Sequence, residues 1–217
     1  MMQGQLPPFY SGCTTNCSGV NFSMKYGITT PSLSNNATQF NLGGSAPYGD
    51  ALFSAQLMGQ NSPQLQDSDH KLLPTIHHFI YDSHFYVEDS KATPVLEFDV
   101  TMFMNGIGLV WDTQCSHRDG YWDTWSIVSN SWVPSGVPCL SVDGWNHVTI
   151  QVEREADNTL LFQSIALNGV TYPVNITYPP GTADPNWWGV TANYQMDGNS
   201  PQVNSSTYLD EFSVTYW

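Results

Sequence analysis

From residue 39 to the end of the chain, apolar and polar residues alternate with a period of two, broken at intervals by turn dipeptides. That period marks strands with one face buried. No helical stripe longer than a turn or two interrupts it, and no internal repeat is present. Many short strands separated by turn signals predict an all-β chain built as a two-sheet antiparallel β-sandwich. Residues 1–38 are rich in Pro, Gly, Ser, Thr and Asn without periodicity. They read as an extended N-terminal arm or linker, and 39–217 as the sandwich domain.

The turns are legible. Asn105-Gly106 and Asn168-Gly169 each sit between two alternating runs, and Asn-Gly is the strongest two-residue hairpin signal because both positions tolerate positive φ. Asp119-Gly120 suggests a third hairpin. Asp143-Gly144 opens the strand WNHVTIQVE, Asp197-Gly198 closes WWGVTANYQM, and TYLDEFSVTYW ends the chain on a strand.

A two-residue loop at 105–106 sets Met104 opposite Ile107, and the ladder runs back from there. One face then carries Leu96, Phe98, Val100 and Met102, with Cys115, Thr113, Trp111 and Leu109 opposite, and reads as core. The other carries Glu97 opposite Gln114, Asp99 opposite Asp112 and Thr101 opposite Val110. A slip of one residue would drive the charges into the core. Carboxylates facing each other across a strand pair repel, so the square needs a cation, a shared proton or a basic neighbour.

A two-residue turn at 119–120 would set Gln114 opposite Trp125, Ser116 opposite Asp123 and Arg118 opposite Tyr121, extending the polar face. In HHFIYDSHFYVE, Phe79, Tyr81, Phe85 and Val87 read as core, and His78, Asp82, His84 and Tyr86 as the opposite face. The short connection to the Glu97 strand predicts that the two strands lie side by side. Together these strands predict a sheet face of carboxylates, amides, His and aromatics, suited to a hydroxyl-rich neutral ligand.

Charge narrows the partners. Nineteen acidic residues stand against five basic ones, Lys25, Lys71, Lys91, Arg118 and Arg154, giving a net charge of −14. No basic stripe exists to neutralise nucleic-acid phosphates or an anionic membrane surface, and polyanionic substrates are repelled. No apolar run is long enough to span a bilayer, and MMQGQLPPFYSG lacks the charged and apolar regions of a secretory signal. Four cysteines predict the bridges Cys13–Cys17 and Cys115–Cys139, which suit an oxidising, extracellular setting. Five N-x-S/T triplets are about what so Asn-, Ser- and Thr-rich a chain yields by chance, and are not read as glycosylation. Trp111, Trp122 and Trp145 are expected in or near the core; Trp125, Trp187 and Trp188 are candidates for stacking on sugar rings.

The stretch Val95-Leu96-Glu97-Phe98-Asp99-Val100 resembles the Val-x-Val-Glu-Phe-Asp-Thr strand of legume lectins, in the concanavalin A-like lectin/glucanase superfamily. The resemblance implies a jelly-roll sandwich, with Glu97 and Asp99 as ligands to Ca or Mn; the hairpin register sets Asp112 beside them. The lectin metal loop that would follow is replaced by the Asn-Gly turn. The strand also resembles the laminarinase and lichenase motif Glu-x-Asp-x-x-Glu, which implies Glu97 as nucleophile, Asp99 as its helper and Met102 where the acid/base carboxyl would stand. Tyr208-Leu209-Asp210-Glu211-Phe212-Ser213-Val214 resembles the closing strand of carbohydrate-binding jelly rolls, which implies Asp210 as a structural Ca²⁺ ligand.

The expectation is a secreted, lectin-like protein that binds a neutral polysaccharide or glycan. Gln114, Arg118, Tyr121, Trp125, His84 and Tyr86 would line its site, and Ca²⁺ would be held by Glu97, Asp99, Asp112 or Asp210. A polysaccharide-cleaving enzyme is the second reading: a hydrolase using Glu97 with Asp99 or Asp112, or a lyase with a Tyr or His base. The third is a structural subunit that forms a homo-oligomer through its N-terminal arm.

Overall fold

The computed structural model describes residues 10–14, 17–62 and 65–217. Sixteen strands follow one another: β1 (Tyr10–Gly12), β2 (Val20–Ile28), β3 (Ala37–Gly44), β4 (Asp50–Gly59), β5 (His78–Val87), β6 (Val95–Met104), β7 (Ile107–Trp111) and β8 (Thr113–Ser116). Then come β9 (Tyr121–Ser126), β10 (Ser131–Pro138), β11 (Gly144–Arg154), β12 (Leu160–Leu167), β13 (Val170–Tyr178), β14 (Gly181–Thr182), β15 (Gly189–Asp197) and β16 (Ser205–Tyr216). One 3-10 turn, Leu73–Thr75, precedes β5.

The strands form two antiparallel sheets. The first runs β1-β4-β15-β6-β8-β9-β10, with β7 continuing beside β6 and β14 beside β7; the second runs β13-β12-β11-β5-β16-β3-β2. Their inner faces share an aromatic core. Phe98 on β6 meets Tyr81 and Phe85 from the opposite sheet and Trp122 and Tyr194 from its own, with ring centroids 5.0–6.0 Å apart. Fully burying a ring of this size contributes about 1.5–3 kcal/mol. Each predicted inward residue of β6, from Leu96 to Met102, is buried.

The Asn105-Gly106 hairpin has the expected geometry: φ is 51° at Asn105 and 77° at Gly106, and Met104 pairs with Ile107. The same register persists beyond the break at Asp112, so Glu97 pairs with Gln114. Asn168-Gly169 repeats the device, with Leu167 paired to Val170.

Three expectations are corrected. The loop at 119–120 is four residues long, so Gln114 pairs with Asp123 and Ser116 with Tyr121. The Gly120 N–H closes the turn on the Ser116 carbonyl at 2.8 Å, and Ser116 Oγ donates to Asp119 Oδ2 at 2.8 Å. A two-residue shift leaves every side chain on its predicted face, so only the partners change. Second, β5 does not neighbour β6: it pairs with β11 and β16 in the second sheet. The connection after β5 crosses between sheets, and alternation reports that a face is buried without saying in which sheet.

Third, the stretch set apart as an arm builds strands of the sandwich. β1 pairs with β4, β2 forms an edge of the second sheet, and the expected boundary at 38/39 falls inside β3. Val20, Phe22, Met24, Tyr26 and Ile28 alternate inward along β2, a pattern hidden by the surrounding Ser, Asn and Gly. The arm's first nine residues lie outside the described residues.

Candidate functional site

On the outer face of the first sheet, the register assembles polar side chains into rows. One row crosses four strands: Gln195 on β15, Glu97 on β6, Gln114 on β8 and Asp123 on β9. Gln195 Nε2 donates to Glu97 Oε1 at 2.6 Å and to Asp197 Oδ1 at 3.0 Å, and Gln114 Nε2 donates to Asp123 Oδ2 at 2.6 Å. The next row sets Asn193 beside Asp99, whose Oδ1 accepts the Thr113 N–H at 3.0 Å. Ser54 donates to Asn193 at 2.6 Å, and Asn193 donates to Thr101 at 3.3 Å. Glu97 is 6% exposed and Asp99 3%.

Above these rows lies a groove of about 480 Å³, within the usual range for small-molecule sites. Glu97, Asp112, Gln114, Gln195 and Asp197 line it, with Asp50 beside them. Trp125 and Trp132 form one wall, their rings 5.4 Å apart at 73°, and Tyr48 and Arg118 also line the groove. The Cys13–Cys17 bridge closes a small loop that brings Thr14 to Asp50: Thr14 N–H and Oγ1 donate to its two carboxylate oxygens at 2.7 and 2.5 Å. Cys115–Cys139 ties β8 to the chain beyond β10. Both predicted bridges are present.

The acids hold protons tightly. Burial, then the charges of Asp197, Asp99 and Asp112, push Glu97 well above the usual carboxylate range, and only the Gln195 hydrogen bond opposes this. Burial and Asp112 do the same to Asp99. Burial lifts Asp112 to about 7 and Asp197 to about 6. Asp112 Oδ1 is buried without a hydrogen-bond partner. Arg118 is exposed and paired to Asp119 at 3.0 Å, so it does little to relieve the cluster.

Of the residues expected at the site, Glu97, Asp112, Gln114, Arg118 and Trp125 line the groove, and Asp99 lies in the row beneath. Tyr121, 52% exposed, stands on β9 outside the lining. His84 and Tyr86 lie elsewhere, on the outer face of the second sheet, because β5 belongs there. His84 stacks on His147 at 4.3 Å and faces Glu211 at 3.2 Å, while Tyr86 packs edge-on against Trp145 and Tyr208. Tyr48, Asp50, Trp132 and Asp197 were not legible as site residues. Asp197 reads in sequence as half of a turn, although it lies two residues beyond Gln195 on the same face. Trp132 reaches the groove only because β10 pairs with β9, and so sets it opposite Trp125.

The acids expected to hold Ca²⁺ lie in two places, Glu97, Asp99 and Asp112 at the groove and Asp210 on β16. Oxygen ligands at about 2.3–2.6 Å from an ion lie within about 5 Å of one another. Among the described residues, three ligand atoms of His, Cys, Asp or Glu come within 4.8 Å of one another only at Cys115, His117 and Cys139, two sulfurs and an imidazole nitrogen, and both cysteines are bridged. Asp210 stands apart on β16. It accepts hydrogen bonds from the Ser32, Leu33 and Ser34 segment and from the Glu211 N–H, five in all, at 2.5–3.0 Å. Its carboxylate works here as a clamp between segments.

No protein-family model and no curated protein matches the sequence. Among solved structures, the chain is similar to "Cellulose induced protein, Cip1", with a TM-score of 0.54 and 12% identity over 94% of this chain and 90% of that one. It also matches the lectin UEA-II complexed with galactose, with a TM-score of 0.45 and 13% identity over 97% and 99% of the two chains. A third match is the carbohydrate-binding module CBM66 from Bacillus subtilis, with a TM-score of 0.36 and 10% identity over 90% and 94%. The fold is a two-sheet antiparallel β-sandwich, shared with the first of these.

Proposed function

We propose that this chain is an extracellular glycan-binding protein whose groove on the first sheet takes a segment of neutral oligosaccharide. The observation that carries this is the Trp125–Trp132 wall above a lining of amides and carboxyl groups. Aromatic rings stack on the apolar faces of sugars, while amides and carboxyls meet their hydroxyls. A carboxyl that keeps its proton both donates and accepts, as a hydroxyl partner needs, and the acids' residual charge repels uronates and sulfated sugars. The two disulfides fit the oxidising setting.

Titration with cello-, xylo-, manno- and galacto-hexaose, read by Trp fluorescence, is expected to give saturable binding by at least one of them. Trp132→Ala is expected to weaken that binding about tenfold or more, the scale of one lost stacking contact. A flat response across a broad glycan panel would sink the proposal.

A polysaccharide hydrolase is the second reading, favoured by groove acids whose affinities for protons are pushed upward, as a general acid requires. Met102, in the acid/base position of the laminarinase motif, does not serve. β6 is regular along its whole pairing with β15, so Met102 faces the core at 0% exposure. Asp112 would have to partner Glu97. Cleavage of the bound oligosaccharide by the wild type, abolished in Glu97→Gln, would establish this activity; no cleavage leaves a binder.

A further inference from the structure

A second groove, of about 470 Å³, lies on the second sheet, away from the tryptophan groove. The register shows how it is made. Ser23 on β2, Asn41 on β3 and Ser206 on β16 form one cross-strand row. Two residues along, Asn21 is opposite Gly43, with Asn204 just ahead of β16 on the far side. All six line the groove, and no charged residue does.

The row is already oriented. Ser206 Oγ donates to Asn41 Oδ1 at 2.7 Å, and Asn41 Nδ2 donates to Ser23 Oγ at 3.0 Å. This fixes the Asn41 amide and leaves its second N–H and the Ser23 hydroxyl proton free to donate outward. Gly43 gives the other row its shape. A Cβ there would lie 2.1 Å from Asn204 Oδ1, so only glycine lets that amide lie flat against the sheet. Ser205 Oγ, in the same lining, is buried without a hydrogen-bond partner. A ligand for such a groove carries many hydroxyls and no charge, because an ion would find no counter-charge to offset its desolvation. Fixed amides and hydroxyls on rigid strands bind with little ordering cost.

We propose that this groove is a second glycan site, taking a neutral sugar by hydrogen bonding alone, and that the protein is bivalent across its two sheets. The proposal shares the ligand class of the reading above, so its test reads the second site directly. The protein is made in a bacterial host that forms disulfides, so that both bridges close and the N-x-S triplets at Asn21 and Asn204 stay unmodified. The same hexaoses are titrated into ¹⁵N-labelled protein, and the side-chain amide signals of Asn21, Asn41 and Asn204 are followed.

At least one sugar is expected to shift these signals. The shifts should persist in Trp125→Ala/Trp132→Ala and weaken about tenfold in Gly43→Ala, which displaces the Asn204 amide without removing a polar group. Gly43 lacks positive φ, so alanine suits its backbone, and an unchanged melting temperature checks the fold. Asn41→Ala serves as a second variant. If no sugar moves the three amides, the proposal is overturned, whatever the tryptophan groove does. If the shifts vanish in the double tryptophan variant, there is one site and the proposal also fails. Trp fluorescence that stays flat while the amides shift would overturn the first groove and the bivalence, and uphold the site on the second sheet.

Discussion

Asp210→Ala is expected to cost the fold about 3–4 kcal/mol at pH 7, read by urea denaturation. Asp210 is 0% exposed and sits where β16 bulges away from β5, beside Glu211 at φ 51°. Its Oδ2 takes the Ser32 hydroxyl and the Leu33 and Ser34 N–H groups, and its Oδ1 takes the Ser34 hydroxyl and the Glu211 N–H. Ser32 Oγ in turn accepts the Asn36 N–H, so one carboxylate organises the whole connection between β2 and β3. Alanine leaves these donors without their charged acceptor. Burial alone would raise the Asp210 pKa, but the hydrogen bonds from Ser32, Ser34 and Leu33 outweigh it and hold the group below its ordinary 3.8. The stabilisation is therefore complete above pH 3.8 and disappears as pH falls through the lower folded value. The difference between wild type and variant should narrow in strong acid. Asp210→Asn should also lose stability, because its NH₂ would face donors. A loss under about 1 kcal/mol in both variants would remove the clamp from the account.

The limits of sequence reading here follow from what each signal measures. Asn105-Gly106 fixes a register because a two-residue loop admits one pairing, and that register reached through Asp112 to Glu97 and Gln114. Asp119-Gly120 fixes none: its loop length depends on Ser116 holding Asp119, a tertiary detail. Alternation found the inward face of nearly every strand, including Phe79 to Val87 on β5, but two sheets sharing one core produce the same alternation. His84 and Tyr86 were therefore assigned to the right kind of face on the wrong sheet. The site was half legible for the same reason. Glu97, Asp112 and Gln114 are joined through one hairpin, whereas Asp50, Trp132 and Asp197 arrive by pairings that no local signal encodes. Ser23, Asn41 and Ser206 meet across three strands, one of them in the stretch read as an arm.

Glu97→Gln is expected to stabilise the protein by about 2 kcal/mol at pH 8, the scale of removing a charge buried among like charges. The substitution keeps the shape and an oxygen to accept the Gln195 amide, and removes one of four carboxylates that raise one another's proton affinity. A carboxyl whose folded pKa lies above its ordinary 4.5 stabilises the fold fully below that value, and the benefit is lost as pH rises through the folded value. The wild type must therefore either hold protons or hold repelling charges between about pH 4 and 8. Asp197 and Asp112, lifted to about 6 and about 7, titrate inside that window. His84 and His117 obscure the wild-type curve, because burial lowers both and they act in the opposite sense. The difference between variant and wild type cancels them. It should be near zero at pH 4 and grow steadily to pH 8, measured by urea denaturation at each pH. A difference that is flat, or negative at pH 8, contradicts the shared-proton picture of the site. The gain in stability should come with weaker oligosaccharide binding at every pH where Glu97 accepts from a sugar hydroxyl. Acids that cost the fold stability as pH rises, lining a tryptophan-walled groove, accord with the proposed reading of a binding site rather than with a structural cluster.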